Sequence, residues 1–498
     1  MMRRRTALGL AALLPVAASL AACQGGPVAQ PRDLLIGATA PPPNLDPVAG
    51  DAAAIPQALL YNVYETLVKI DDAGQMQPLL ATAWEVSKDR LTYIFRLAET
   101  ATFAKDNRPL TAEDVVWSIN HVKRDGTAVL KAQMAPVATA EATDQHTVTV
   151  TLSTPSNSWL YNMTSTAGMV FDSKAGVDFA SQPAGSGPYT LTRWSKGNDL
   201  VLGQRSDYWG AKPYFSSVTL RYYADPNSEN AAMLAGQLDI LSSVQAPQAL
   251  GQFDDASRFT VIEGTTSGEV VMGFNNAGVL ADKRLRQAIR YAVDHKALLD
   301  TVWAGHGTLI GSMVPPTDPW YEDLTGLYPH DPDRARALVK EAGYDGKPLR
   351  MRLPTLPYAT AAGQFVASQL RDVGLTVTTD ELEFPARWLD LVFTKADYDI
   401  TIVSHVEPRD LVKFADKKYY WRYDNPEVQK LVTEADRGSE SDQVSKLKQA
   451  ARIISEDAAC DFLFLLPNLV VTRPDITGVR QNATTLSLDL TTIARKQG

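Results

Sequence analysis

Val270-Val271-Met272-Gly273-Phe274-Asn275 is an apolar run that ends in asparagine. A run of this length reads as a strand buried on both faces. Just downstream, Asp282 caps a helix that carries Leu285, Ala288, Ile289 and Ala292 on one face. The same alternation extends in both directions. Upstream, Leu91–Leu97 and Thr147–Leu152 come close to period-two patterning, and Thr111-Ala112-Glu113-Asp114 has the form of a capping box. Downstream, Asp331-Pro332-Asp333 and Asn425-Pro426-Glu427 each combine a cap, a first-turn proline and an acid. The first of these helices is expected to end at Gly343 in the left-handed conformation. A second apolar run, Phe462-Leu463-Phe464-Leu465-Leu466, lies near the end of the chain. No repeat of 20–50 residues recurs. Interleaved strands and helices over this span predict an α/β fold.

The chain has 498 residues, too many for one hydrophobic core, so at least two lobes are expected. Hydrophobic residues make up 45% and charged residues 21%, which excludes a disordered chain. A formal net charge of −9 argues against binding to nucleic acid, which calls for a basic surface. Two cysteines, Cys23 and Cys460, cannot staple a chain of this size.

The N-terminus reads Met1-Met2-Arg3-Arg4-Arg5, followed by an apolar run from Ala7 to Ala22 that contains Pro15. A charged start and a short apolar stretch form an export signal rather than a lasting membrane span. The run ends in Leu20-Ala21-Ala22-Cys23, which resembles a bacterial lipobox. The resemblance implies cleavage before Cys23 and lipidation of that residue. An ordinary signal peptide with an incidental cysteine is the alternative, and Arg4-Arg5 leaves the export route open between Sec and twin-arginine. With Cys23 acylated, Cys460 is expected to be a buried, inert thiol.

The chemistry-bearing motifs are mostly missing. There is no phosphate-binding glycine loop, no dinucleotide fingerprint and no nucleophile elbow. Ser445-Lys446-Leu447-Lys448 matches Ser-x-x-Lys but lacks its companion motifs and reads as a solvated helix face. None of the six histidines has a second histidine at metal-ligand spacing. Neither a cofactor nor a metal is expected, and the chain is not expected to be an enzyme.

One ordered set of blocks spans nearly the whole chain. It begins with Leu45-Asp46-Pro47, Tyr64-Glu65-Thr66-Leu67-Val68, Pro78-Leu79-Leu80-Ala81 and Trp84 to Asp89. It continues through Pro109 to Val116, Gly185-Ser186-Gly187-Pro188-Tyr189, Tyr208-Trp209-Gly210 and Gly236 to Ile240. Phe274-Asn275-Asn276, Arg286-Gln287-Ala288-Ile289, Ala292-Val293-Asp294 and Glu341-Ala342-Gly343-Tyr344 complete it. In this order the blocks resemble the extracellular solute-binding proteins of family 5, which serve peptide, nickel and related ABC importers. One departure is Asn107, which stands where the family has a turn glycine; asparagine tolerates the positive φ that this turn needs.

The resemblance implies a two-lobe periplasmic-binding-protein-like fold of type II, a Venus flytrap, with an extra subdomain in lobe I. Residues 1–22 are the signal peptide and 23–32 the tether. Residues 33–268 and 466–498 form lobe I, and 269–465 form lobe II. The two apolar runs are the crossovers. The family's peptide binders place an acid after a lobe II strand to hold the peptide's amino group. Here Tyr398–Ser404 leads into His405-Val406-Glu407-Pro408-Arg409-Asp410, and Glu407-Pro408 matches that position. A buried carboxylate needs a cation, supplied either by ligand or by Arg409 or another cation of the protein. His405, Tyr419 and Trp421 are further candidate ligand contacts, with structural packing as the alternative for each. Asn275 and Asn276 at the crossover complete the candidate set.

The implied function is capture of a peptide or similar small solute by a lipid-anchored extracytoplasmic protein that delivers it to an ABC transporter permease. The expected protein is a monomer on the outer face of the cytoplasmic membrane or in the periplasm, with no nucleic-acid partner. The cleft equally suits a nickel chelate, an oligosaccharide or an amine metabolite. A signalling receptor and a cell-surface hydrolase are the remaining alternatives.

Overall fold

The computed structural model describes residues 32–244 and 247–496. The export signal, nearly all of the tether and Cys23 lie outside the described residues. Ten strands form one sheet in the order Val377–Leu382, Leu349–Pro354, Ile400–His405, Thr260–Phe274, Cys460–Thr472, Ile240–Leu241, Asp33–Ala38, Ser217–Tyr222, Asp199–Gln204 and Tyr189–Ser195. Two long antiparallel strands, Thr260–Phe274 and Cys460–Thr472, occupy its middle and run through both lobes.

Sequence expectation places the crossovers at 270–275 and 462–466, and the strands extend well beyond both. The added first half, from Thr260, is partly exposed and mixes Thr and Glu with Val and Ile, so it carries no continuous apolar signal. The second half is buried on both faces. Val271, Cys460 and Phe462 face one core, with Trp421 and Phe414. Val270, Met272, Phe274 and Phe464 face the other, with Ile289, Leu298 and Val366. Burial on two sides is why this stretch reads as an uninterrupted apolar run.

The pairing of the two long strands breaks between Thr265 and Glu269. Thr265 lies opposite Pro467 and Glu269 opposite Leu465, leaving 266–268 out of the ladder. The Thr266 hydroxyl donates to the Leu466 carbonyl at 2.8 Å, and the Gly268 amide donates to that hydroxyl at 2.9 Å. A separate four-stranded antiparallel sheet, in the order Ala81–Val86, Thr92–Leu97, Thr147–Leu152 and Val137–Asp144, packs with helix Ala112–Asp125.

The helix-start signals are realised. Asp282, Asp331 and Asn425 each accept backbone N–H bonds as N-caps, and Thr111 and Asp114 close a capping box. Gly343 and Asn107 both have positive φ, at 67° and 57°. Lys446 lies on helix Glu440–Glu456 and pairs with Glu434 at 2.7 Å, as a solvated helix face requires. Cys460 is a buried free thiol whose pKa burial pushes up. Among the described residues no helix is long and apolar enough to cross a membrane.

Candidate functional site

Strand Leu349–Pro354 runs parallel to both Val377–Leu382 and Ile400–His405. Their C-terminal ends share one edge of the sheet, and in open α/β sheets that edge is where ligands bind. Strand Ile400–His405 pairs antiparallel with the first long strand, which puts His405 directly opposite Glu269. The break in the long strands therefore lies beside the loop 406–410.

Glu269 is fully buried, and neither of its carboxylate oxygens has a hydrogen-bond partner among the described residues. Burial raises its pKa well above the usual carboxylate value, and the negative charges of Asp410, Asp318 and Glu407 add to the effect. Asp318 is likewise pushed up by burial, to about 6, against the opposing pull of Arg409. A buried charge without a counter-ion is costly, so this group favours a cation or a proton.

His405 is buried and spans two neighbours. Its Nδ1 lies 3.1 Å from Asp410 Oδ2, and its Nε2 lies 2.9 Å from the Tyr420 hydroxyl. Glu407 is exposed and has no hydrogen bond or ion pair among the described residues. One donor atom each from His405, Glu407 and Asp410 lies within 4.8 Å of the others.

Arg409 does not pair with Glu407, the structural partner considered from sequence. Its Nε lies 4.0 Å from Asp318 Oδ1. Its guanidinium sits over Tyr161 at 3.5 Å and over Trp320 at 4.9 Å. Arg409 also holds φ at 66°, a conformation uncommon outside glycine that tends to mark functional sites. Tyr161 follows Asn157 and Ser158 on helix Asn157–Asn162. The Asn157 amide donates to the Ala435 carbonyl at 2.8 Å, and the Ser158 amide donates to Asp436 Oδ1 at 2.8 Å. Arg409 thus connects the acidic group to this helix through Tyr161.

The remaining candidates divide. Tyr419 is half-buried, 5.4 Å from the exposed Phe393 ring and 6.4 Å from His405. Trp421 is 1% exposed and stacks on Phe414 at 4.1 Å, inside the core. Asn275 donates to the carbonyls of Ala396 and Tyr398, and Asn276 to those of Phe274, Trp421 and Ala459. Both asparagines follow the far end of the strand from Glu269, at Phe274, five residues or about 17 Å along it. The structure therefore gathers His405, Glu407, Arg409 and Tyr419; Trp421 lies 5.1 Å from His405 but is buried in the core, and Asn275 and Asn276 lie away from the group. Glu269, Asp318, Asp410, Tyr161 and Trp320 belong to it without having been singled out from sequence. The available signal for Glu269 was an acid at the head of an apolar strand; for Asp410 it was the spacing His-x-Glu-x-x-Asp.

The profile of the bacterial extracellular solute-binding proteins, family 5 middle region, matches residues 75–407. The probable D,D-dipeptide-binding periplasmic protein DdpA of Escherichia coli (strain K12) is 28% identical over 475 residues, covering 88% of this chain and 89% of the relative. Di/tripeptide-binding protein 2 of Pseudomonas aeruginosa is 27% identical over 445 residues, covering 81% of each chain. Among solved structures, the ABC transporter substrate-binding protein CtaP of Listeria monocytogenes superposes with a TM-score of 0.82 at 22% identity, covering 93% of this chain and 99% of that one. The periplasmic binding protein DppA of Helicobacter pylori, in complex with peptide STSA, gives 0.77 at 19% identity, covering 93% and 98%. These neighbours share the two-lobe mixed α/β architecture.

Proposed function

Because the chain belongs to the bacterial extracellular solute-binding proteins, family 5, we propose that it captures a peptide or a similar amine-bearing solute between its lobes and delivers it to an ABC importer without altering it. One observation carries the choice of solute. Glu269, Asp318, Glu407 and Asp410 converge at the crossovers, and Arg409 is held against only one of them, Asp318. A cationic amine neutralises such a group; a neutral sugar or an anion does not. The relatives' names, which specify dipeptides and tripeptides, point to the same solute class.

The test is a thermal-shift panel of dipeptides and tripeptides, their N-acetylated forms, and neutral and acidic solutes. At 100 times Kd a ligand stabilises by about 2.7 kcal/mol, so the free amines are expected to raise the melting temperature and the acetylated forms to fail. A shift with acidic or neutral solutes alone overturns this choice.

We place the lobe boundary at the break in pairing, with 33–268 and 466–498 on one side and 269–465 on the other. Residues 266–268, outside the ladder, can absorb a rotation without disturbing either core. Small-angle scattering with a stabilising peptide is expected to give a smaller radius of gyration than without it. An unchanged profile at saturation counts against closure.

Lipid anchoring at Cys23 is part of the same proposal. Each buried methylene contributes about 0.8 kcal/mol, and two chains hold where one does not. Cys23→Ala is expected to leave the protein folded but released or unprocessed in cell fractionation. Correctly cleaved variant that stays with the membrane at wild-type level rules the anchor out.

A further inference from the structure

We propose that His405, Glu407 and Asp410, backed by Glu269, form a site for one divalent transition-metal ion, with zinc as the best-suited probe. The inference rests on the same cleft as the proposed function and deepens it by naming a second occupant for its carboxylates. The donor set is one imidazole nitrogen with carboxylate oxygens. Imidazole suits zinc, copper, iron and nickel, whereas all-oxygen sites suit magnesium, calcium and manganese.

The geometry fits one ion. Donor atoms of the three residues lie within 4.8 Å of one another. His405 Nδ1 and Asp410 Oδ2 are 3.1 Å apart, close to the roughly 3.3 Å edge of a tetrahedron of zinc ligands at about 2.0–2.1 Å. The other ring nitrogen of His405 meets the Tyr420 hydroxyl at 2.9 Å, and the ring lies parallel to Tyr420 at 6.0 Å. A partner of this kind is what fixes the orientation of a ligating imidazole. His405 and Asp410 are buried, while Glu407 is exposed and opens the group to solvent.

An independent observation points to a cation here. Glu269 is completely buried, faces His405 across the strand pairing, and has no hydrogen-bond partner for either oxygen among the described residues. The nearest negative charges acting on it are those of Asp410, Asp318 and Glu407. A divalent ion between these residues supplies positive charge to Glu269, Glu407 and Asp410, which Arg409 does not reach. It also makes zinc and an amine solute competitors.

The experiment uses the purified chain, treated with chelator and dialysed, and titrates zinc chloride by calorimetry in a non-coordinating buffer at pH 7 with no peptide present. One equivalent is expected. Glu407→Gln, at an exposed position, is expected to weaken zinc by at least about tenfold, the lower end of what a supporting residue contributes at a metal site. His405→Gln and Asp410→Asn are expected to abolish stoichiometric binding. His330→Gln, at the exposed His330–Asp294 pair (3.5 Å), is expected to change nothing and controls for adventitious binding elsewhere. Absence of wild-type binding, binding unchanged in Glu407→Gln and His405→Gln, or binding lost in His330→Gln each overturns the site. Peptide binding without zinc binding removes this inference and leaves the proposed function standing. Zinc binding without peptide binding does the reverse.

Discussion

Replacing Asp461 by Leu is expected to remove about 3–5 kcal/mol of stability, the usual cost of stranding a buried charge. Asp461 is fully buried near the start of the second long strand. It accepts from Arg290 Nε at 3.1 Å and meets His295 Nε2 at 2.9 Å. Arg290 is itself 3% exposed, donates to the Ser455 carbonyl at 2.8 Å and lies over the Tyr328 ring at 4.3 Å. With Asp461 gone, the guanidinium keeps its neighbours and loses its counter-charge. Burial alone would raise the Asp461 carboxyl, but His295 and Arg290 hold it below the usual carboxylate value. A depressed pKa contributes stability above the unfolded value that is lost as pH falls through the folded one. The gap between wild type and Asp461→Leu should therefore be full at neutral pH and shrink in acid. Urea denaturation at pH 7 and pH 3 checks both parts. Adding Arg290→Met should recover much of the loss, since an apolar replacement of the whole pair is often neutral. A single variant that unfolds like wild type at pH 7 refutes the argument.

Removing one carboxylate from the cleft should produce the second large effect, on affinity. Breaking a buried charge pair between partners typically costs about 2–5 kcal/mol, roughly 30- to several-thousand-fold in Kd at 1.4 kcal/mol per decade. Glu407 is exposed, so Glu407→Gln belongs at the lower end, with the melting temperature of the empty protein little changed. Glu269→Gln and Asp410→Asn belong at the upper end because both residues are buried. Arg409→Gln should act differently. It leaves Asp318 without its cation and strips the guanidinium from Tyr161 and Trp320, so apo stability drops, while affinity for an amine changes only indirectly. A pH signature follows from Asp318, raised to about 6. As pH falls through that value the carboxyl gains a proton and loses its attraction for an amine, so affinity should fall between pH 7.5 and pH 5. Titration calorimetry with a stabilising peptide reads all of these. Wild-type affinity in Glu407→Gln, Glu269→Gln and Asp410→Asn together would move the solute class to neutral or anionic compounds.

The sequence makes the elements plainer than their assembly. The caps at Asp282, Asp331 and Asn425 are local hydrogen-bonding devices, so they can be read from neighbouring residues, as can the turn at Asn107. Glu407 and His405 could be found because both lie in one short segment after one strand. Glu269, Asp318 and Tyr161 reach the same place from three distant stretches, and no local pattern announces such convergence. Trp421, Asn275 and Asn276 show the opposite difficulty. An aromatic beside tyrosines and two amides after a strand look available for ligand, yet tertiary packing uses the ring as core and the amides to tie down main-chain carbonyls. Arg409 is the subtlest case. It is two residues from Glu407 in the chain, but its left-handed backbone carries the side chain to Asp318 instead.

The central position of Cys460–Thr472 in the ten-stranded sheet has a consequence for biogenesis. A chain delivered N-terminus first, whether from a ribosome or through a membrane, exposes more than nine-tenths of its length before this strand arrives. Until then Thr260–Phe274 has its neighbour on one side only, and both cores of the second lobe lack Phe462, Leu463, Phe464 and Leu465. An apolar edge left open that long is a template for mispairing with another chain, and its correct partner is separated from it by about two hundred residues, the kind of contact that forms slowly. The nascent protein therefore passes through a late window of exposed apolar edge, and that window closes only when Cys460–Thr472 inserts between two halves of a sheet already waiting for it.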